Sequence, residues 1–305
     1  MMMKRIICAA IVGIGLLAGF FATGTYGLSA ANVEVYTMAV GLEKKDGNFG
    51  FENFFLTDYP VAFYDGDKDY RITSKNGEYS VTKRSPVINS IVATAYEVNG
   101  EFEVLSPTIE KMSSFISLMN TGMSEYTAEH HAVVIWHEAF HCYQMSGFSG
   151  FIDNICSEID EQIIVVQVDG NSRAVELLKM QMQLLEESVK TNDIDIIREN
   201  MVKYKQADEE RRELLSESVT ALENYYTIVE GTACYVESCA YKELMPESYD
   251  EEYISAISCY YSGSSKYYYI GMAQCMILEK LAPGRLGGYT FSKPIIELIY
   301  EELCI

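Results

Sequence analysis

The sequence predicts an α+β protein, predominantly helical, with a small N-terminal sheet ahead of a long helical remainder. Three observations predict it. Residues 32–105 have a strand-like texture, rich in β-branched and aromatic residues and cut by turn signals. From residue 106 onward apolar residues recur at helical spacing between charged ones. With 305 residues, 49% of them hydrophobic, the chain is long enough to bury a sizeable core.

Residues 1–31 stand apart. Lys4 and Arg5 precede an almost pure apolar run from Ile6 to Phe21, and small residues follow. Ser29 and Ala31 sit at −3 and −1 of one cleavage point, and Thr25 and Gly27 offer a second. This is the pattern of a secretory signal peptide, or of a membrane anchor if it is not cut. A mature chain beginning between residues 28 and 32 is expected, secreted or at the extracytoplasmic cell surface. Membrane contact is then expected only through the N-terminal segment if it is uncleaved. Of the eight Cys, Cys8 lies at the start of the apolar run, and the odd number left is no compact disulfide framework. Mostly free, buried thiols are expected, with at most one or two bridges.

Within 32–105, Val33 to Val40 reads as β-rich, and Lys45 to Asn48 as a turn. Asp65, Asp67 and Asp69 alternate like calcium-loop ligands. Tyr70 stands where such a loop needs Gly, and Asn76 where it needs the closing Glu, so an acidic turn is the better reading. Ile91 to Val98 and Glu101 to Leu105 flank Asn99-Gly100 and read as a hairpin. Helices are expected over Pro107 to Asn120 and Thr127 to Met145, the second stopped by Gly147. Another is expected from an Asn171 or Ser172 cap to Lys190. After a break at Asn192-Asp193, one or two long helices fit Ile194 to Leu244. A Tyr-rich segment, a helix ending before Pro283, a Gly-rich turn and a short terminal helix complete the chain.

The charge balance, 23 basic against 44 acidic residues for a net −21, repels phosphate backbones, so nucleic-acid binding is excluded as a function class. It suits cation binding.

The chemistry is concentrated at His137-Glu138-Ala139-Phe140-His141, an H-E-x-x-H within an apolar helix. Two histidines four residues apart project from one face, where both imidazoles reach a single ion at roughly 2.0–2.1 Å. Glu138 lies ~100° round the helix, placed to take a proton from water beside that ion. A helix this apolar rarely carries two His and a Glu unless something satisfies them. The chain has four His, none after His141, so a third ligand from downstream must be a carboxylate or a Cys. The longer metzincin motif fails, because Gln144 and Gly147 occupy its Gly and His positions. Glu161 and Glu230 stand out as carboxylates. Glu161 follows His141 at a separation close to that in thermolysin-like enzymes, within a segment that reads as a solvated turn. Glu230 begins the chain's single Glu-Gly pair.

Glu230-Gly231-x-Ala233-x-Tyr235-x-Glu237 resembles the third-ligand segment of the M1 aminopeptidase clan, and with the H-E-x-x-H the chain resembles a gluzincin-type zinc metallopeptidase. The resemblance covers 137–141 and 230–237 only. It implies a zincin-like catalytic region over 106–305, Zn2+ held by His137, His141 and Glu230, Glu138 as general base, and a peptide or protein substrate. In such enzymes Gly after the ligand Glu lets its helix approach the H-E-x-x-H helix. A Tyr from the C-terminal part donates to the oxyanion; the candidates are Tyr260, Tyr261, Tyr267, Tyr268 and Tyr269, with Tyr268 and Tyr269 favoured because they lead into Gly271. The departures are a far wider gap between His141 and Glu230, no Gly-x-Met-x-Asn amine-binding motif upstream, and Cys234 where thermolysin-like enzymes carry an acid. Aminopeptidase activity therefore does not carry over.

Glu237, two turns from Glu230 on the same face, is placed to orient a ligand His from behind, or to make a surface salt bridge. His130 shares the face of His137, and a partly exposed His near a helix start is expected there. The expected function is an exported zinc-dependent peptidase. The rival is a non-catalytic exported zinc-binding or interaction protein on a peptidase-like fold, against which the intact Glu138 argues. A zinc hydrolase acting on something other than peptides is the third reading.

Overall fold

The computed structural model describes residues 27–75, 78–89, 91–118, 126–156 and 159–305; the N-terminal apolar run lies outside the described residues. The elements in order are α1 (Ala30–Asp46), a 3-10 turn (Leu56–Asp58), β1 (Val61–Tyr64), β2 (Asp69–Lys75), β3 (Glu78–Arg84), β4 (Thr94–Val98) and β5 (Glu101–Pro107). Then follow α2 (Ile109–Leu118), α3 (Ala128–Ile152), α4 (Glu161–Ile164), a π turn (Val165–Asp169), α5 (Ser172–Lys190), α6 (Ile194–Arg212) and α7 (Glu217–Leu244). A second π turn (Asp250–Ile254), α8 (Lys266–Leu281), a 3-10 turn (Arg285–Gly288) and α9 (Ile295–Leu303) end the chain. The protein is α+β and mostly helical. No helix among the described residues is long and apolar enough to cross a membrane.

Two compact units divide the chain. One comprises the chain to Phe49, Asn53–Ser146 and Cys239–Ser248; the other comprises Gly50–Glu52, Gly147–Ser238 and Tyr249–Ile305.

The first unit holds a five-stranded sheet in the order β3-β2-β1-β5-β4. β1 and β5 run parallel, Val61 opposite Val104, and the other pairs are antiparallel. The β4–β5 hairpin is as expected: Asn99 and Gly100 take φ 54° and 84°, the two positive values a tight two-residue turn needs. The acidic turn is also as read, since Asp65 Oδ1 accepts from the backbone N–H of Asp67 and Lys68 at 2.8 and 2.7 Å.

Two readings are corrected here. Val33 to Val40 is not a strand but the middle of α1. β-propensity is a weak prior, and three other terms outweigh it. Ser29 caps the helix by accepting from the Asn32 N–H, and Asn32 is tied by its side chain to Glu110 and to the Ile109 N–H on α2. Val35, Tyr36, Ala39 and Leu42 form a buried stripe at helical spacing. The second correction is α3, which does not stop at Gly147 but runs on to Ile152. The glycines cost helix stability, but Phe148 packs on Phe291 with ring centres 4.9 Å apart and Ile152 is buried.

The second unit is helical. α5 begins on an Asn171 cap and α6 on an Asp193 cap, so the Ile194–Leu244 stretch is two helices. Buried Arg211 on α6 gathers its neighbours, with Nη1 on Glu223 of α7 at 2.6 Å and Nε on Gln181 of α5 at 2.8 Å. Tyr267 of α8 donates to the same Glu223. α7 and α8 cross backbone to backbone: a Cβ on Gly231 would stand 2.5 Å from Gly271 Cα, and one on Gly271 would stand 2.1 Å from Thr227 O. Only glycine fits at either position.

Candidate metal centre

α3 carries all four histidines. Its rotation is fixed by the apolar residues between them: Ile135, Trp136, Ala139 and Phe140 have no exposed surface. Trp136 Nε1 donates to the Ala39 carbonyl of α1 at 3.1 Å, and Phe54 lies edge-on to both Trp136 and Phe140. Burying this face leaves His137 and His141 together on another.

Their Nε2 atoms lie 3.1 Å apart. Two nitrogens bound to one ion at ~2.0–2.1 Å with tetrahedral angles stand roughly 3.3 Å apart, so the spacing fits a shared ion. His141 Nδ1 lies 2.7 Å from Oε1 of fully buried Gln144. An amide oxygen only accepts, so Nδ1 carries the proton and Nε2 turns its lone pair inward. Glu230 completes the group: one ligand atom from each of His137, His141 and Glu230 lies within 4.8 Å of the other two. None of the three is fully exposed. Among the described residues this is the one set of three or more His, Cys, Asp or Glu close enough to hold a metal ion.

Glu138 is half-buried, and its Oε2 accepts from the Ala95 N–H at 3.0 Å. Ala95 lies on β4, an edge of the sheet, and turns this N–H away from β5. One carboxylate oxygen is thus anchored while the other is left for chemistry. Glu161 is exposed, and its Oε1 accepts from Ser264 at 2.6 Å and Tyr226 at 3.2 Å.

Gly231 faces α8, where it meets Gly271, so the close approach it permits is that of α7 to α8, where the resemblance implied an approach to the H-E-x-x-H helix. It sets α8 against the turn of α7 that bears Glu230. Tyr268, partly exposed, stacks on Tyr226, one turn before Glu230, with ring centres 6.5 Å apart. Burial raises the pKa of Tyr226, and Glu161 adds to the rise. Tyr269 is buried and tilted against Tyr261. Tyr260 donates to Asp169 and Tyr267 to Glu223, so both hydroxyls serve structural carboxylates. Glu237 accepts from buried Tyr253 at 2.7 Å.

His130 is buried rather than partly exposed, because Tyr126 stacks on it and Tyr241 lies edge-on. Its Nδ1 is 2.9 Å from Thr127 Oγ1. His131 is fully buried, with Nε2 2.9 Å from Ser106 Oγ.

Gln144, the Ala95 N–H and Tyr226 are the neighbours that sequence reasoning missed. Gln144 had a signal, a polar residue three positions after His141 on an apolar helix; the Ala95 contact had none. Comparison with protein-family models, curated proteins and solved structures found no match to this chain.

Proposed function

We propose that the protein is a zinc-dependent peptidase, exported from the cell. The observation that carries this reading is the convergence of His137, His141 and Glu230 beside an anchored, non-ligating Glu138. Two imidazole nitrogens and a carboxylate oxygen are a donor set of catalytic zinc sites, which keep a fourth position open. Zinc held there would supply a Lewis acid that lowers the pKa of a bound water toward ~7 and polarises a peptide carbonyl.

The chain's own residues supply the rest. Glu138, with Oε2 on the Ala95 N–H, accepts a proton from water at Oε1 and delivers it to the leaving amine nitrogen. Gln144 keeps the His141 ring oriented. Tyr268 is the favoured donor to the developing oxyanion, because it keeps some exposure next to the Glu230 turn, whereas Tyr269 is buried. The free edge of β4 would align an extended peptide by strand addition, with Ala95 marking where that edge meets the base.

Purified protein is expected to cleave an unstructured peptide pool, to lose that activity to a chelator and to recover it with zinc. Glu138→Gln should retain zinc and lose ~10²–10⁴-fold in rate. Zinc binding with no cleavage across a broad peptide library would instead favour the non-catalytic zinc-binding protein.

Export is read from Lys4, Arg5 and the apolar run. Cleavage after Gly27 leaves the Ser29 cap of α1 intact, whereas cleavage after Ala31 removes it. N-terminal sequencing of secreted protein should therefore find Leu28 first; Met1 on soluble cytosolic protein would refute export.

A further inference from the structure

Three carboxylates tie elements of the second unit together, and each holds a cation of the chain. Asp169 pairs with Lys266 at 2.9 Å, Glu223 with Arg211 at 2.6 Å, and Asp208 with both Arg211 and Arg212. Glu161, the first residue of α4, is anchored in the same manner but without a cation. Its Oε1 accepts from Ser264 and Tyr226, both buried, at 2.6 and 3.2 Å. Its Oε2 accepts from no group among the described residues, and the side chain is exposed. Two hydroxyls orient the carboxylate and leave its charge uncompensated.

The anchor is itself held. Asp169 accepts from Ser262 Oγ at 2.7 Å and from the Gly263 N–H at 2.8 Å, which fixes the loop that delivers Ser264. On the other side, Tyr226 lies on α7 four residues before Glu230, on the same face and ~6 Å along the axis. Tyr268 stacks on that Tyr226 ring. Glu161 is therefore fixed beside the turn that bears the carboxylate ligand, and all of these residues belong to the second unit. An extended peptide advances at most ~3.3–3.6 Å per residue, so a side chain one to three residues from the scissile bond comes within reach.

The surroundings select the occupant. An oriented, unpaired carboxylate takes a cation, and a chain of net −21 draws cationic partners toward it. Val165 supplies a second feature. Its N–H bonds back to the Glu161 carbonyl, which puts it one turn on, and its side chain is exposed. Lys and Arg lay an aliphatic stem on apolar surface while the charged head reaches a polar group. Resting on the peptidase reading above, we propose that Glu161 is a specificity-determining residue, taking the head of a substrate Lys or Arg near the scissile bond with its stem along Val165.

The test begins with mass-spectrometric mapping of cuts made by the full zinc-loaded chain in a mixed peptide pool. Lys or Arg is expected within three residues of the cut, well above its share of the pool. Binding is then read without turnover, by fluorescence anisotropy on Glu138→Gln, with labelled peptides that differ only by Lys or Glu at the selected position. An exposed ion pair is weak by itself, but the Lys-to-Glu contrast adds repulsion, and about tenfold tighter binding of the Lys peptide is expected. Adding Glu161→Gln should cut that ratio to twofold or less with zinc content unchanged, and Glu161→Lys should invert it. If the pool is not cut, the same two peptides are built on a Lys-centred scaffold; a Lys preference that depends on Glu161 would then support the cation site while refuting the peptidase. Equal binding of the Lys and Glu peptides, or a preference that Glu161→Gln leaves intact, would overturn the proposal.

Discussion

His130 and His131 lie two turns before His137 and His141 on the same helix, yet the two pairs live in different chemistry. The first pair is buried, flanked by Tyr126, and touches hydroxyls of Thr127 and Ser106. The second pair is less buried, and its nitrogens turn toward each other and toward a carboxylate. Burial holds His131 neutral, its pKa pulled down from 6.5 to about 3, and pulls His130 down as well. The difference shows that a histidine is made a ligand or a core residue by what the fold places against it. A hydroxyl partner and aromatic walls leave a neutral ring, whereas convergent lone pairs beside a carboxylate call for a cation.

Acid provides the largest test of that contrast. His131 takes up a proton near pH 6.5 when unfolded but only near pH 3 when folded. Its contribution to stability is therefore complete above about pH 6.5 and lost as pH falls from there toward 3, a change of a few kcal/mol. Chemical denaturation at stepped pH should show this slope, and His131→Phe should flatten it. An unchanged slope in that variant would mean that His131 is not held neutral in the fold.

The second pair has its own, smaller test. Gln144→Ala removes the acceptor on His141 Nδ1 without touching a ligand. Loss of such an orienting partner typically weakens metal binding ~10–100-fold. Competition with a zinc chelator reads it directly, and an unaltered affinity would deny Gln144 its positioning role.

How much of this was legible in the sequence depended on how local each cause is. His137 and His141 could be read because four residues of helix suffice to align them. The Asn99-Gly100 hairpin and the Asn171 and Asp193 caps are equally local. α1 was misread because the β-branched Val33, Val35, Thr37 and Val40 suggest a strand. What makes it a helix includes the tie between Asn32 and α2, between residues 77 and 78 positions apart in the chain. Gly147 was misread for the same reason, since Phe291 holds Phe148 from far along the chain. The Ala95 contact to Glu138 depends on sheet register and helix rotation together, and neither is written near either residue. Glu230 lay between these cases: Gly231 was visible as a signal, but it answers to Gly271 on α8, a contact between distant residues and not the expected one with the H-E-x-x-H helix.

The most direct measurement of the central claim is zinc content by elemental analysis of the wild type beside Glu230→Ala and Glu161→Ala. Glu230 stands with the two histidines, whereas Glu161 serves Ser264 and Tyr226. The account predicts one zinc per chain in the wild type and in Glu161→Ala, and none in Glu230→Ala after dialysis. Zinc retained by Glu230→Ala and lost from Glu161→Ala would contradict it.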